Sequence, residues 1–212
     1  MKKETVGIVD YGLGNILSVY RAFEHCGAKV NIVSKKSEIQ SASFIVLPGD
    51  GSFSYASRKL KKLDFFHGLQ SHVKKGNPLL GICLGMQFLL KSSEEFGNCK
   101  GLSVIDGKVI KIKKEKNERC KIPIIGWNKI KFIENKDKTL NKFKNVSDKK
   151  NFYFVHSFKA VPKNKKDILG YYEYGKQKIN AIIGRNNVIG CQFHPEKSGQ
   201  NGINLIKKFL SL

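Results

Sequence analysis

The sequence predicts an α/β fold with a mixed, mostly parallel central sheet, helices on both faces and a more antiparallel second half. In the first part of the chain, short apolar runs alternate with amphipathic helical patterns, which is typical of a doubly wound parallel sheet. After about residue 100 the apolar residues recur with a period of two, as in antiparallel strands. The 212 residues contain no repeat and no long linker, so we expect one domain over residues 1–212.

The first half contains four apolar runs that predict buried strands: Val6–Val9, Val30–Val33, Phe44–Leu47 and Leu79–Ile82. Between the first two runs, Asn15 is placed to cap a helix with one apolar face, and Gly27 ends that helix. A basic amphipathic stretch from Tyr55 to Lys75 leads to the fourth strand. A further helix begins immediately after that strand, over residues 84–90.

The second half contains the runs NFYFVHSFKAV and INAIIGRNNVIGCQF, which predict mainly antiparallel or mixed strands joined by Lys, Asn and Gly turns. The last residues, from Gly202 to Leu212, have the apolar spacing of an amphipathic helix. We therefore expect a parallel core that continues into a second, more antiparallel half.

The formal charge is +22, from 39 Lys or Arg against 17 Asp or Glu. Such an excess raises the possibility of a nucleic-acid or anionic-membrane binder. However, the basic residues are spread over the whole chain, and only four of the 39 are Arg, the residue type that best forms two hydrogen bonds to phosphate or guanine. We interpret the charge as a lysine-rich surface, and we expect neither a nucleic-acid nor a membrane partner.

No apolar run reaches the roughly 18 residues of a membrane-spanning helix, and the first residues pass directly into a strand pattern without a signal-peptide core. The five cysteines form an odd number without close-pair spacing, which disfavours a secreted disulfide framework and a Cys-rich zinc site. The sequence thus predicts a cytoplasmic protein without a metal site.

The segment Leu79–Gln87 reads as a strand that enters Gly-x-Cys-x-Gly and then a helix. This is the arrangement of a nucleophile elbow, in which glycines on both sides give the sharp turn its room. Cys83 would lie at the first turn of the helix, where the helix dipole favours the nucleophilic thiolate. The alternative is a buried cysteine that merely follows a parallel strand.

A candidate base follows the strand of residues 188–193. His194 ends that strand, Pro195 turns the chain, and Glu196 can accept the second imidazole N–H and so fix the ring. The other four histidines favour non-catalytic roles: a structural hydrogen bond at His156, solvated positions at His67 and His72, and a helix end at His25.

Acyl transfer through a thioester also requires hydrogen-bond donors for the oxyanion. The elbow itself places the N–H of Leu84. The loop Pro48–Gly51 can supply a second donor, because its glycines permit a backbone flip that aims an amide at the site. By itself this loop is better described as an ordinary tight turn.

Several motifs, in this order and over nearly the full length, together resemble the class I glutamine amidotransferases: DYGLGN, PGDG, GICLGMQ, GWN, FYFVHS and FHPEKSG. Within that family the motifs are most similar to those of the glutaminase subunits of imidazole glycerol phosphate synthases. The resemblance implies the amidotransferase (flavodoxin-like) form of the α/β fold.

The resemblance also implies a reaction. Cys83 would attack the side-chain amide of glutamine, His194 would protonate the leaving ammonia and then activate water, and Glu196 would orient His194. The remaining positions that match the family's site are Gly49, Asp50 and Leu84 for the oxyanion, and Gln87, Ser157 and Phe158 for the substrate. Hydrolysis of an amide by a Cys/His/Glu set requires no cofactor.

Subunits of this kind work with a (β/α)8 cyclase (synthase) subunit, which receives the ammonia through a shared interior path and makes imidazole glycerol phosphate and AICAR for histidine biosynthesis. The positions that match the interface and its gate are Trp127, Asn128, Tyr153 and Lys197. A core aromatic is the alternative for Trp127. The glutaminase is expected to be weak until the partner is bound and carries its nucleotide ligand, through a population shift of the oxyanion loop.

Two positions depart from the family pattern. Asp50 stands where the oxyanion loop usually has an apolar residue, and the segment before GWN has Ile124 where a histidine is common. A carboxylate beside an oxyanion opposes the developing charge unless it points away. These departures leave open a paralogous glutaminase that supplies ammonia for a surface sugar. The charge of +22 leaves open a non-catalytic anion-binding or nucleic-acid-binding protein.

Overall fold

The computed structural model describes residues 5–114 and 120–212. Within them the strands are β1 Thr5–Val9, β2 Lys29–Val33, β3 Phe44–Leu47, β4 Leu79–Ile82, β5 Ser92–Ser93, β6 Cys99–Lys100, β7 Gly107–Lys111, β8 Ile124–Lys129, β9 Lys131–Phe132, β10 Asn151–His156, β11 Phe158–Pro162, β12 Ile168–Tyr174, β13 Gln177–Arg185 and β14 Val188–Cys191. The helices are α1 Ile16–His25, α2 Lys36–Ser41, α3 Phe53–Lys62, α4 Phe65–Lys74, α5 Leu84–Phe88, α6 Lys138–Asn141, α7 Lys144–Ser147 and α8 Gly199–Phe209. Short 3₁₀ turns cover Lys165–Asp167 and Pro195–Lys197.

The central sheet has the strand order β2-β1-β3-β4-β14-β13-β12-β9. Neighbours from β2 through β14 pair in parallel, whereas β14, β13, β12 and β9 pair with one another antiparallel. The predicted α/β class, with a parallel first half and a more antiparallel second half, is confirmed. Because β4 and β14 are neighbours, their carboxyl ends bring the elbow and the FHPE segment side by side.

Alternating side chains of the parallel strands fill two cores, one on each face of the central sheet. Phe44 of β3 packs on one face with α1 and α8, where its ring is 5.4 Å from that of Phe209. Ile45 packs on the other face with α3 and α4. Asn15 caps α1 as predicted, because its Oδ1 accepts the N–H of Ser18 at 3.1 Å. Helices thus cover both faces.

Two smaller sheets extend the fold. Strands β8 and β10 form an antiparallel pair, which we call the ribbon, and β11, β7, β5 and β6 form a second sheet in that order. The run NFYFVHSFKAV is therefore two strands that belong to different sheets. His156 pairs with Ile124 in the ribbon, and Phe158 pairs with Lys111 in the other sheet. Ser157 lies at the junction between them.

The basic stretch from Tyr55 to Lys75 is two helices, α3 and α4. They are separated at Asp64, which has a left-handed φ of +54°. The Asp64 carboxylate bonds Lys36 Nζ of α2 at 2.5 Å and His67 Nδ1 of α4 at 2.7 Å, so the break is joined by one contact distant in sequence and one local contact. His67 is exposed as expected, but the solvated position predicted for His72 is wrong. Its side chain is buried, Nε2 lies 3.0 Å from the carbonyl oxygen of Pro78, and burial lowers its pKa.

Other boundaries also differ from the sequence prediction. Helices α2, α6 and α7 were not predicted, and each is only four to six residues long. The last helix begins at Gly199, before the predicted Gly202. A β-carbon on Gly202 would overlap the carbonyl oxygen of Pro195, so this glycine allows α8 to pack against the turn after His194. Among the described helices, none is long and apolar enough to cross a membrane.

Candidate active site

Cys83 stands at the sharp turn between β4 and α5, with φ +53° and ψ −107°. A non-glycine residue in this region of backbone space is strained, and such residues cluster at functional sites. The flanking glycines make the turn possible. A β-carbon on Gly85 would overlap the carbonyl oxygen of Leu47, and one on Gly81 would lie 2.7 Å from the carbonyl group of Gly85. The Gly-x-Cys-x-Gly spacing thus lets β4 enter α5 directly, with the cysteine at the turn.

His194 and Glu196 follow β14, and both side chains are buried. Nδ1 of His194 lies 2.8 Å from Oε1 of Glu196, and Nε2 has no hydrogen-bond partner among the described residues. The main chain of His194 is held on both sides. Its N–H donates to the carbonyl oxygen of Tyr153 at 2.9 Å, and its own carbonyl oxygen accepts the hydroxyl of Ser198 at 2.6 Å. The ring orientation predicted from the sequence is therefore present.

The surroundings of His194 favour its charged form. Burial lowers its pKa, but Cys83 and Glu196 outweigh burial and raise the pKa from 6.5 to about 10. Near neutral pH this gives an imidazolium beside the cysteine. A raised histidine pKa stabilises the folded chain fully below about pH 6.5, and this contribution is lost as the pH rises through about 10.

The backbone donor predicted for the oxyanion is occupied in this structure. The N–H of Leu84 donates to the carbonyl oxygen of Gly49 at 3.4 Å. Tyr11 holds the same loop, because its hydroxyl donates to the carbonyl oxygen of Pro48 at 2.8 Å and fills the place where a side chain on Gly49 would lie. Only glycine fits there. An oxyanion at Cys83 would need this carbonyl to turn away from Leu84.

The side chain of Asp50 is tied to the loop that follows β1. Its Oδ1 accepts the N–H of Gly14 at 3.0 Å. Gly14 has a φ of +97°, and a β-carbon there would lie 3.3 Å from the backbone of Gly49. The carboxylate expected to oppose an oxyanion is therefore engaged by an amide of a neighbouring loop. This hydrogen bond between Asp50 and Gly14 holds the loop Pro48–Gly51 in the conformation in which the carbonyl oxygen of Gly49 accepts the N–H of Leu84.

A cavity of about 280 Å³ opens at the sulfur of Cys83. It collects most of the residues that the sequence assigned to the nucleophile, base, oxyanion and substrate, namely Cys83, His194, Leu84, Asp50, Gln87, Ser157 and Phe158. Gly49 and Glu196 lie behind these residues and contact Leu84 and His194. Within residues 5–114 and 120–212, no group of three or more His, Cys, Asp or Glu is arranged to hold a metal ion.

Sequence reasoning missed one acidic residue of the cavity. Glu95 lies after α5 and lines the cavity with a largely buried carboxylate, which accepts the N–H of Phe53 at 2.7 Å. Burial raises the pKa of the Glu95 carboxyl, and the hydrogen bond from Phe53 opposes this rise. The only sequence signal was an acidic pair, Glu94 and Glu95, in a strongly basic chain. The site thus has one carboxylate suited to a cationic group.

The ribbon presents an exposed apolar face beside the site. Ile125 and Trp127 lie on the same face of β8 and are 63% and 57% exposed, so Trp127 is not a core aromatic. Tyr153 pairs with Trp127 across the ribbon, with the rings 6.0 Å apart. Asn128 is half-buried at the next position of β8, and Lys197 is exposed on the turn after His194. The four predicted interface residues therefore lie on the ribbon and the adjoining turn.

His156 is a structural residue. It lies 2.7 Å from the carbonyl oxygen of Phe158 through Nδ1 and 2.7 Å from the hydroxyl of Tyr172 through Nε2. Burial lowers its pKa to about 4, so the ring is neutral near pH 7. Ile124, which stands where the family often has a histidine, is buried opposite His156. These two positions serve the packing of the ribbon.

Comparison with known proteins gives a consistent result. Residues 7–211 match the family model described as "Glutamine amidotransferase class-I". Imidazole glycerol phosphate synthase subunit HisH 1 of Legionella pneumophila (strain Paris) is 44% identical over 211 residues, which cover 98% of this chain and 99% of that protein. The HisH subunit of Lactococcus lactis subsp. lactis (strain IL1403) is 42% identical over 99% of this chain and 98% of its own. The solved structure titled "Structure of PurLQS from Thermotoga maritima" superposes with a TM-score of 0.74 at 20% identity, covering 99% of this chain and 98% of that one, and supports the fold.

Proposed function

The chain belongs to the class I glutamine amidotransferases, and from this premise we propose that it is the glutaminase subunit of an imidazole glycerol phosphate synthase. It hydrolyses glutamine to glutamate and ammonia, and a (β/α)8 cyclase subunit uses the ammonia in histidine biosynthesis. The observation that carries the proposal is the cavity in which a strained Cys83 lies beside His194, which is itself held by Glu196.

The proposed reaction uses these three side chains in order. The thiolate of Cys83 attacks the side-chain amide carbon of glutamine, and the imidazolium of His194 gives its proton to the nitrogen as the C–N bond breaks. Ammonia leaves and a thioester remains. His194, now neutral, takes a proton from water, which attacks the thioester and releases glutamate and the thiolate. Glu196 keeps Nε2 of His194 directed at the reacting atoms throughout.

The cavity also contains groups suited to the two ends of the substrate. Glu95 provides a carboxylate for the α-ammonium group of glutamine, and Gln87, which lines the same cavity as Cys83, is available for the side-chain amide. Ser157 and Phe158, at the junction of two sheets, border the amino-acid end. With these assignments, the scissile amide of glutamine would lie at Cys83.

Replacing Glu95 by Gln is expected to raise KM for glutamine about tenfold and to leave kcat little changed, because the substitution removes the charge that binds the α-ammonium group. The Gln oxygen can still accept the N–H of Phe53, so the loop should keep its shape. Steady-state glutamate release measures both constants. An unchanged KM would remove Glu95 from the substrate site.

The oxyanion loop supports the expectation of a weak glutaminase without the partner. In the isolated chain the N–H of Leu84 donates to the carbonyl oxygen of Gly49 and is not available to an oxyanion. Stabilisation of an oxyanion therefore requires a second conformation of the loop, with this carbonyl turned away, to become populated. The partner surface we propose is the ribbon face with Ile125, Trp127 and Tyr153. This face lies next to the base, because Tyr153 accepts the N–H of His194. Binding of the cyclase to this face can therefore change the position of His194 in the active site.

The proposed function is tested by measuring glutamate release from the chain alone and with a purified cyclase subunit of a related synthase. Hydrolysis should rise strongly in the complex, and the gene should restore growth of a histidine auxotroph that lacks this subunit. Equal rates with and without the cyclase would contradict the coupling. Active glutaminase without rescue would instead favour the surface-sugar paralogue, whereas no hydrolysis under any condition would reject the enzyme assignment.

Replacing Asp50 by Val is expected to raise partner-free hydrolysis about tenfold, because it removes the charged acceptor that fastens the loop to Gly14. Asp50→Asn keeps an oxygen that can accept the same N–H and should give a smaller rise. Glutamate release from the isolated variants is the measurement. A fall in activity in both variants would show that the carboxylate does not hold the loop in this inactive orientation.

A further inference from the structure

Gln192 is a buried polar residue beside the nucleophile that the proposed mechanism does not use. It lies between β14 and His194, its side chain is fully buried, and its backbone N–H donates to the carbonyl oxygen of Ala181 at 2.9 Å. Its side-chain Nε2 lies 3.5 Å from the sulfur of Cys83. A buried amide must satisfy its donors and acceptor within the protein, so the partners of this side chain are informative.

A chain of contacts fixes which end of this amide faces the sulfur. Nε2 of Gln87 lies 3.4 Å from the carbonyl oxygen of Phe158 and 3.1 Å from Oε1 of Gln192. A carbonyl oxygen only accepts, so Gln87 must direct its NH₂ group toward Phe158. The same NH₂ group then requires an oxygen from Gln192. The NH₂ group of Gln192 is left to face Cys83, and the reversed orientation would put two NH₂ groups against each other.

We propose that Gln192 is a positioning residue that donates an amide N–H to the sulfur of Cys83 and couples the sulfur to Gln87 in the substrate site. This inference rests on the proposed role of Cys83 as the nucleophile. A donor of this kind stabilises the thiolate over the thiol, because a hydrogen bond to an ionised acceptor is stronger than one to a neutral acceptor. It also restrains the sulfur at the mouth of the cavity, where the substrate amide must arrive.

The other titratable groups around the sulfur and its cavity come from six segments: Tyr11 after β1, Asp50 after β3, Glu95 after β5, His156 on β10, Cys191 on β14, and His194 with Glu196 after β14. Burial raises the pKa of Tyr11 and of Cys191, and burial lowers that of His156 to about 4. These three groups stay neutral between about pH 5 and 9. Alkylation of Cys83 in that range therefore reports on the thiol and its pairing with His194.

The test measures the rate of alkylation of Cys83 by iodoacetamide as a function of pH in the full chain, with the alkylated residue identified by mass spectrometry. Gln192→Met removes the donor at similar length and should move the midpoint upward by about one pH unit. Gln192→Glu puts an acceptor against the sulfur and should move it further. Gln70→Met is the matched control. Gln70 lies on α4, and its half-buried side-chain amide donates to the carbonyl oxygen of Leu102 at 2.8 Å. The alkylation midpoint of this variant should equal that of the wild type.

The order wild type, Met, Glu supports the proposal, because a purely structural role would not follow the charge at this position. A wild-type midpoint in Gln192→Met would overturn it. If neither variant folds, the proposal is tested on the wild type by recording the NMR signals of its six ¹⁵N-labelled glutamine side chains as a function of pH. The NH₂ pair of Gln192 should then shift over the pH range of Cys83 alkylation, and a pair that stays constant would reject the proposal. Failure of glutamine hydrolysis in the wild type would instead count against the proposed function.

Discussion

Glutamine hydrolysis should fall by on the order of 10³-fold or more in Cys83→Ser, both in the isolated chain and in the complex with the cyclase. The serine hydroxyl is not ionised near neutral pH, so it is a much weaker nucleophile than the thiolate that forms beside the imidazolium of His194. Glutamate release with a coupled assay measures the loss. The substitution exchanges one atom at a site that is already held by the turn, so the strained backbone at this residue should persist.

A second readout distinguishes loss of the nucleophile from loss of the fold. Cys83 is one of the two neighbours that raise the pKa of His194, so the pKa of this histidine should be lower in Cys83→Ser than in the wild type, as followed by NMR of the imidazole. The cyclase reaction should also continue when ammonia is supplied in solution, because only its production is blocked. Residual hydrolysis above about a tenth of the wild-type rate would show that another group attacks glutamine.

Gly85→Ala should destabilise the chain by about 3 kcal/mol or more, which is the largest effect on stability that we expect from adding one methyl group. The added β-carbon would overlap the carbonyl oxygen of Leu47, a backbone atom of the neighbouring strand β3. Helix propensity alone predicts the opposite sign, since alanine is favoured over glycine in a helix by about 1 kcal/mol. The free energy of unfolding in urea measures the difference between the two effects.

Gly76→Ala is a suitable control for this substitution. Gly76 follows α4 with a φ of +85°, and a β-carbon there would meet no atom within 4 Å. Its replacement should cost only about 1 kcal/mol, from backbone strain. Equal losses of unfolding free energy in the two variants would mean that the close approach of α5 to β3 does not exclude a β-carbon at position 85.

The sequence predicted the parallel strands well because each is a short apolar run bounded by turn residues. Residues 44–47 and 79–82 are strands with the same bounds in the structure. Cys83 and His194 were found because each follows one of these apolar runs. Their proximity follows from the pairing of β4 with β14, since neighbouring parallel strands bring their carboxyl ends together. The FHPE motif further contained both members of the His194–Glu196 pair within three residues.

What the sequence did not predict depends on contacts between distant residues. The break between α3 and α4 has no glycine or proline at Asp64, and the contact with Lys36 that fixes it is not visible in a local pattern. The burial of His72 depends on its contact with Pro78 and on helix α2. Glu95 reaches the cavity because its loop folds back onto the start of α3. Each is a product of tertiary packing, which local propensity does not encode.

The backbone N–H groups of the two reacting residues are bonded to different parts of the fold. Cys83 belongs to the turn between β4 and α5 in the middle of the central sheet, whereas the backbone N–H of His194 is bonded to Tyr153 in the ribbon. After β14 the chain leaves the central sheet, and the N–H of His194 donates to a strand of the ribbon. We therefore expect a displacement of the ribbon relative to the central sheet to move the backbone of the base, whereas the backbone N–H of Cys83 is held by Cys191 at the end of β14. The thiol of Cys83 also contacts the ribbon, 3.9 Å from the carbonyl oxygen of Val155, so both reacting side chains adjoin the strands whose exposed face carries Trp127.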